Sequence, residues 1–369
     1  MTTPPLGPRD PEIPSPPPRI PPGMFSADVP SEDFGDRRGP DRRGFERRQQ
    51  ERRLDGTDST LSRFLGALRP ADGLEGTVGT PSVMPVEPLF FPLTPAQTTL
   101  LVREALHEDE AFNDVTTLAT VLSGRHARGH LVARQSGVIA GLPLAVEAFR
   151  QIDPRMTVRV DVADGAPVSP GTPVMFITGH ARGLLSAERV ALNFLQRLSG
   201  IASLTARFVE AVRGTGARIL DTRKTTPGWR KLEKFAVRAG GGHNHRLDLA
   251  TAVLIKDNHL AAVDGDIAFA VRRARELAPD GARVEVECDR RAQVEAALAA
   301  GADIVMLDNM SLDQMRECAA LCKGHAITEA SGGVRLDSVR AVAETGVDWI
   351  SVGALTHSAP ALDPALDFE

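Results

Sequence analysis

The chain has 369 residues, room for two domains of about 150 residues each and a remainder. Its 43 basic and 48 acidic residues leave a formal charge of −5, which argues against a general nucleic-acid binder. Apolar residues make up 42%, enough for a sizeable core. No apolar run is long enough for a membrane span, and the opening residues carry no apolar signal region. Three cysteines, Cys288, Cys318 and Cys322, make no disulfide framework, so a reducing cytoplasm is expected, with neither membrane nor nucleic acid as partner.

Residues 1–91 hold 17 of the 27 prolines once Pro92 is counted with them, and they lack apolar periodicity; they read as a disordered extension. Within them Asp36-Arg-Arg-Gly-Pro, Asp41-Arg-Arg-Gly-Phe and Glu46-Arg-Arg-Gln-Gln repeat every five residues, a period that suits neither helix nor strand. The bland reading is a solvated tail, or a start at Met84; the functional one is a basic tether. Folded structure is expected from Pro92. Thr94-Pro95-Ala96-Gln97 reads as a capping box with proline at the first helical position. Short strands follow at Leu131–Arg134, Val138–Gly141 and Val158–Val162, and Asp164-Gly165 and Pro170-Gly171 beyond them are turn dipeptides. Apolar residues from Ala187 to Val212 then recur with a period near 3.6, predicting a long helix after Ser186, broken or kinked at Gly200, with Arg189, Asn193 and Gln196 opposite the apolar face.

From position 217 strand and helix alternate. Strands are predicted at Arg218–Asp221, Ala252–Ile255, Val284–Cys288, Asp303–Leu307, Ala326–Glu329 and Asp348–Val352, with helices such as Arg291–Ala300 and Leu312–Leu321 between them. No dinucleotide fingerprint is present, so a barrel is preferred to an open doubly wound sheet.

In such a barrel chemistry gathers at the C-terminal strand ends. These tips are unusually polar. Arg223, Lys224, Lys256 and the His243-Asn244-His245-Arg246 cluster are cationic, suited to carboxylates. Glu287 and Asp308 end successive strands and suit a Mg²⁺ shared with substrate phosphates. Ser331-Gly332-Gly333 and Val352-Gly353-Ala354 follow the last two strands, where barrels often bind phosphate through uncovered backbone N–H groups. Only five of the basic residues are lysine, and four lie between 224 and 256, a weak hint that arginine would not serve there; Lys231 and Lys234 read as surface residues.

Asp-Thr-Arg-Lys-Thr-Thr-Pro-Gly at 221–228, Gly-Gly-Gly-His-Asn-His-Arg at 240–246 and Ile-Lys-Asp-Asn-His at 255–259 are very similar to the signature of quinolinate phosphoribosyltransferases. Glu-Val-Glu at 285–287, Leu-Asp-Asn at 307–309, Ser-Gly-Gly at 331–333 and Val-Gly-Ala-Leu-Thr-His-Ser at 352–358 continue the match in order, and it covers about 95–369. The resemblance implies an N-terminal open α/β sandwich domain (92–205), an irregular incomplete α/β barrel (206–350) and a C-terminal segment (351–369) returning to the first domain. It implies a pentosyltransferase of NAD biosynthesis: quinolinate and 5-phosphoribosyl-1-pyrophosphate (PRPP) give nicotinate mononucleotide, pyrophosphate and CO₂, with Mg²⁺. Arg189, Thr222, Arg223, Lys224, His245, Arg246 and Lys256 would hold quinolinate. Ser331, Gly332, Gly333, Val352, Gly353 and Ala354 would hold the phosphates, and Glu287 and Asp308 the metal, the ribose and the pyrophosphate. Lys224, Lys256, Glu287 and Asp308 would be catalytic. Arg189 would reach in from the neighbouring copy of a homodimer, itself sometimes built into hexamers.

Asn113 stands where the family has glycine, and it is expected to take up the left-handed turn. His243 departs from the family's apolar residue and is left out of the site. His259 and His357 are as readily structural as ligating, and the cysteines are expected to be buried, inert thiols. Two other readings compete: a paralogous phosphoribosyltransferase using another nitrogen base, and a lipoyl- or biotinyl-type carrier. The carrier is excluded because no lysine precedes Lys224.

Overall fold

The computed structural model describes residues 88–279 and 281–369. The proline-rich extension, its five-residue repeat and Met84 lie outside them. Among the described residues no helix is long and apolar enough to cross a membrane.

Helix α1 (Pro95–Glu108) begins as its sequence dictates: Thr94 Oγ1 accepts the Gln97 N–H at 3.3 Å, and the Gln97 side chain accepts the Thr94 N–H at 3.0 Å. A 3-10 turn (Ala111–Asn113) and α2 (Val115–Thr120) follow. The left-handed residue here is Glu110, at φ 48°, so the strain expected at Asn113 falls three residues earlier. Asn113 instead donates its amide to the Glu110 carboxylate at 2.9 Å. Strands β1 (His126–Ala133) and β2 (Gly137–Val138), helix α3 (Leu142–Ile152), and strands β3 (Thr157–Val160), β4 (Pro167–Val168) and β5 (Pro173–His180) complete the first layer.

Helix α4 (Ala181–Ala211) follows at once. It starts five residues before the predicted point, because Ala181 and Leu184 extend the same buried stripe as Ala187, Ala191 and Leu195. It runs through Gly200 without a break. That glycine serves close approach: a Cβ there would lie 2.1 Å from the Pro360 carbonyl oxygen.

The second half alternates as predicted: β6 (Arg218–Leu220), α5 (Arg230–Ala239), β7 (Val253–Ile255), α6 (Asp257–Ala261), α7 (Ile267–Leu277), β8 (Val284–Cys288), α8 (Arg291–Ala299), β9 (Ile304–Asp308), α9 (Leu312–Cys322), β10 (Ile327–Ser331), α10 (Val339–Ala343), β11 (Trp349–Ser351) and α11 (Ala354–His357). Strand β12 (Pro364–Phe368) returns to pair antiparallel with β1. The first sheet therefore runs β12-β1-β5-β3, antiparallel throughout.

The second sheet is parallel, ordered β6-β11-β10-β9-β8-β7. Strands proceed sequentially and the first pairs with the last, which an open doubly wound sheet does not do. This is a cylinder with a seam between β6 and β7. The segment 243–246 fills that seam. His243 N donates to Ile219 O at 2.8 Å and His243 O accepts from Asp221 N at 3.1 Å, while Arg246 Nη1 reaches Ala252 O at 3.0 Å. Side chains alternate across the sheet. Val286, Val305, Leu307, Ala330 and Ile350 form the apolar outer face under the helices, and the inner face carries Glu285, Glu287, Met306, Asp308, Glu329 and Ser331.

Candidate active site

In register, Ser331 lies beside Asp308, Ser351 beside Leu220 and Ile255 beside Val286, so all six C-terminal strand ends share one rim. That rim gathers Thr222, Arg223, Lys224, Lys256, Glu287, Asp308, Ser331, Gly332, Gly333, Val352, Gly353 and Ala354. Arg246 joins it from the seam.

Among the described residues Arg223, Lys224 and Arg246 form no ion pair, whereas Lys256 does. Arg223 Nε is buried and has no hydrogen-bond partner among the described residues. Burial, and then the charge of Arg223, lower the proton affinity of the neighbouring Arg246 guanidinium. Two partly desolvated guanidiniums that repel each other make a site for an anion. Lys224 is exposed, and its backbone N–H is fixed by Thr222 Oγ1 at 3.1 Å. Lys256 Nζ is engaged by Glu287 Oε2, so one residue from each predicted set meets the other directly.

His245 is turned away from the expected role. Its Nδ1 accepts the Arg246 N–H at 2.7 Å, which puts the ring proton on Nε2. Nε2 faces Glu285 Oε2 at 3.1 Å and Glu329 Oε2 at 3.4 Å inside the barrel. Both ring nitrogens are therefore taken up by the protein, and the residue supports the rim from below. Burial disfavours a charged ring and the two carboxylates raise its proton affinity; a second proton, at Nδ1, would displace the Arg246 N–H. Burial, followed by the nearby Glu329 charge, pushes Glu285 up to about 7. Ligand atoms of this trio lie within 4.8 Å of one another; a protonated Nε2 is a donor and serves Glu285, while both Glu329 oxygens are buried without a hydrogen-bond partner among the described residues.

Around this floor lies a buried polar frame that sequence reasoning missed. Lys234, expected on the surface, is 3% exposed and pairs with the fully buried Asp221. Its Nζ also donates to His245 O at 3.0 Å, while Asp221 accepts the His245 N–H at 2.9 Å and the Asn244 amide at 2.6 Å. Helix α5 packs against α4 and α11, which buries its polar residues Glu233 and Lys234 as well as its apolar ones. Glu233, also fully buried, takes Arg197 Nη2 at 2.6 Å and the Thr226 N–H at 3.1 Å. The signal that could have found Lys234 was the scarcity of lysine itself.

On the phosphate side, Asn309 adopts a left-handed conformation (φ 53°), donates its N–H to Ser331 O at 3.0 Å and its amide to Asp308 Oδ2 at 2.7 Å. Gly332, at φ 96°, lies so close that a Cβ would sit 2.2 Å from Asn309 Oδ1. Strain of this kind persists where surrounding contacts over-determine it, commonly at functional sites. His259 Nδ1 accepts the Lys256 N–H at 2.9 Å and His357 Nδ1 lies 2.6 Å from Ser358 Oγ, so local bonds occupy both. Arg189 is exposed on α4, on the face opposite the apolar stripe. The three cysteines are buried and unbonded; burial pushes Cys288 up to about 12 and Cys322 up to about 11, which leaves them inert as expected.

Comparison with known proteins agrees with this geometry. Residues 114–199 match the family model for the quinolinate phosphoribosyl transferase N-terminal domain, and residues 201–367 that for its C-terminal domain. The chain is 46% identical over 274 residues to a carboxylating nicotinate-nucleotide pyrophosphorylase of Mycobacterium leprae, covering 72% of this chain and 95% of that one. A probable enzyme of the same name from Bacillus subtilis is 41% identical, covering 73% and 93%. The solved structure of nicotinate-nucleotide pyrophosphorylase from Francisella tularensis superposes with a TM-score of 0.71 at 37% identity, covering 76% of this chain and 99% of that one. With both domain models matched in order, and relatives at over 40% identity covered almost end to end, the chain belongs to the quinolinate phosphoribosyltransferase family.

Proposed function

We propose that the barrel rim holds the dianion quinolinate against PRPP, giving nicotinate mononucleotide, pyrophosphate and CO₂. The observation that carries this is the buried, unpartnered Arg223 Nε beside Arg246: fixed positive charge aimed where a carboxylate would complete it. Thr222, Arg223, Lys224, Arg246 and Lys256 bind the two carboxylates, and His245 fixes the Arg246 backbone from beneath. Ser331, Gly332, Gly333, Val352, Gly353 and Ala354 receive phosphate. Glu287 and Asp308 share the inner face of adjacent strands and offer oxygen donors only, a set that fits Mg²⁺ held jointly with substrate phosphates. Bound there, Mg²⁺ would neutralise charge on the leaving pyrophosphate.

The protein's own part is orientation and charge. The arginines and lysines aim the pyridine nitrogen at the ribosyl carbon that loses pyrophosphate. The quaternised ring then sheds its 2-carboxylate, because its positive nitrogen stabilises the ylide left behind. Lysines beside that carboxylate bind it without over-stabilising the ground state.

A second copy completes the site in this reading. Arg189 projects from α4 without a role in its own barrel. Val115, Leu118 and Leu122 are exposed beside it, on a segment tied to α4 through Asp114 and Ser186 at 3.0 Å. A homodimer covers that apolar strip and delivers Arg189 to the neighbouring rim.

The test is an assay with quinolinate, PRPP and Mg²⁺ that follows CO₂ and nicotinate mononucleotide together, with nicotinate as a control base. Equal amounts of both products from quinolinate, and none from nicotinate, are expected. Turnover of another base with none of quinolinate would assign the chain to a paralogous activity on the same scaffold.

A further inference from the structure

Four segments distant in sequence meet at Thr356, a fully buried residue on α11. Its Oγ1 donates to Lys224 O at 2.7 Å and lies 3.2 Å from Gly353 O. Its carbonyl accepts from Arg197 Nη2 on α4. The same Nη2 reaches Glu233 Oε1 at 2.6 Å and Thr226 Oγ1 at 3.4 Å, and Glu233 Oε1 also accepts the Thr226 hydroxyl at 2.8 Å. Gly353 packs against the Lys224 stem, where a Cβ would lie 3.2 Å from Lys224 Cδ. Lys224 belongs to the base-binding loop and Gly353 to the phosphate turn, so one hydroxyl spans the two halves of the site.

Resting on the reading above, we propose that Thr356 and Arg197 are positioning residues that set the spacing between the base-binding loop and the phosphate turn. Neither contacts substrate. Lys224 is held at its N–H by Thr222 and at its carbonyl by Thr356, which fixes its Cα from both sides. Arg197 keeps Thr356 in place by bonding its carbonyl while Glu233 neutralises the guanidinium. Bond formation requires the ring nitrogen and the ribosyl carbon to approach in line, and a displacement of about 1 Å costs roughly a hundredfold in rate. The Lys224 carbonyl faces the buried Thr356 hydroxyl, so removing that hydroxyl frees the loop at this point, and the folded fraction of each variant is measured alongside its rate.

The test compares Thr356→Val, which keeps the shape and removes the hydroxyl, with Thr356→Ser, which keeps it. For Thr356→Val we expect kcat about ten- to a hundredfold lower per folded molecule, with Kd for quinolinate alone and for PRPP alone within about twofold of wild type. Thr356→Ser restores kcat to within about threefold. An unchanged kcat in Thr356→Val, or a loss matched by its unfolded fraction, overturns the proposal. Should that variant not fold, Arg197→Lys decides: one ammonium cannot span Thr356, Glu233 and Thr226, so the same kcat-selective loss is expected and an unchanged kcat overturns it. Wild-type enzyme assayed alongside separates the two ideas, since absence of quinolinate turnover there counts against the activity and not against the latch.

Discussion

At the scale of single residues the site is two shells with different legibility. The rim residues lie in short motifs at strand tips, and motif, strand position and family resemblance together named Arg223, Lys224, Arg246, Lys256, Glu287 and Asp308 as candidates. The shell beneath was hidden because its contacts join positions far apart in sequence, as Lys234 to Asp221 and Arg197 to Thr356 do. A lysine on a short helix looks the same in sequence whether the helix floats or is sunk; burial decides, and burial is tertiary. The consequence is measurable. Burial raises the Asp221 carboxyl and lowers the Lys234 ammonium, each against the attraction of its partner. Lys234→Met strands the Asp221 charge and should cost about 3–5 kcal/mol in urea unfolding. The exposed Lys231→Met should change stability by less than about 0.5 kcal/mol. Equal effects of the two would mean that Lys234 is not the buried partner described.

At the scale of elements, periodicity found the long helix and the barrel strands, and it missed α3, β5 and β12 together with several boundaries and close contacts. Gly200 shows why: a glycine in a helical pattern signals a kink or a close neighbour equally, and the neighbour, Pro360, was invisible. The start of α3 holds another long-range contact. Asp164 accepts the Leu142 N–H at 3.1 Å across the turn. Burial raises this carboxyl from its ordinary 3.8 to about 6, although the Leu142 and Gly141 N–H groups pull it down. A folded value above the unfolded one means that the stability tied to this group is complete below pH 4 and is lost as pH rises through 6. Asp164→Asn keeps an acceptor for Leu142 and cannot ionise. It should raise unfolding free energy on the order of 2 kcal/mol at pH 8 and by almost nothing at pH 4. Urea denaturation at both pH values checks this; an equal gain at both would remove the titration argument.

For the whole molecule, the order β6-β11-β10-β9-β8-β7 makes a barrel that is complete except at one seam, and the candidate site residue Arg246 comes from the segment that plugs it. Alternating strand and helix revealed the barrel, while the seam left no trace in periodicity because residues 243–246 form no regular element. If Arg189 serves the neighbouring rim, Arg189→Ala and Lys256→Ala should each lose at least about a hundredfold in kcat/KM. Mixed and re-equilibrated, they should regain up to about a quarter of wild-type activity, as one rim in hybrid dimers is intact. No recovery in verified hybrids would mean that each rim works alone. The return of β12 to β1 also sets an order in time. Arg128 and Glu369 exchange both backbone hydrogen bonds, at 3.1 and 2.8 Å, so the first sheet takes its edge strand from the far side of the barrel in sequence. Until residues 364–368 have left the ribosome, a nascent chain carries β1 with a bare edge, the kind of surface that templates aggregation and engages chaperones. The first sheet therefore closes only after the whole barrel sequence has been made.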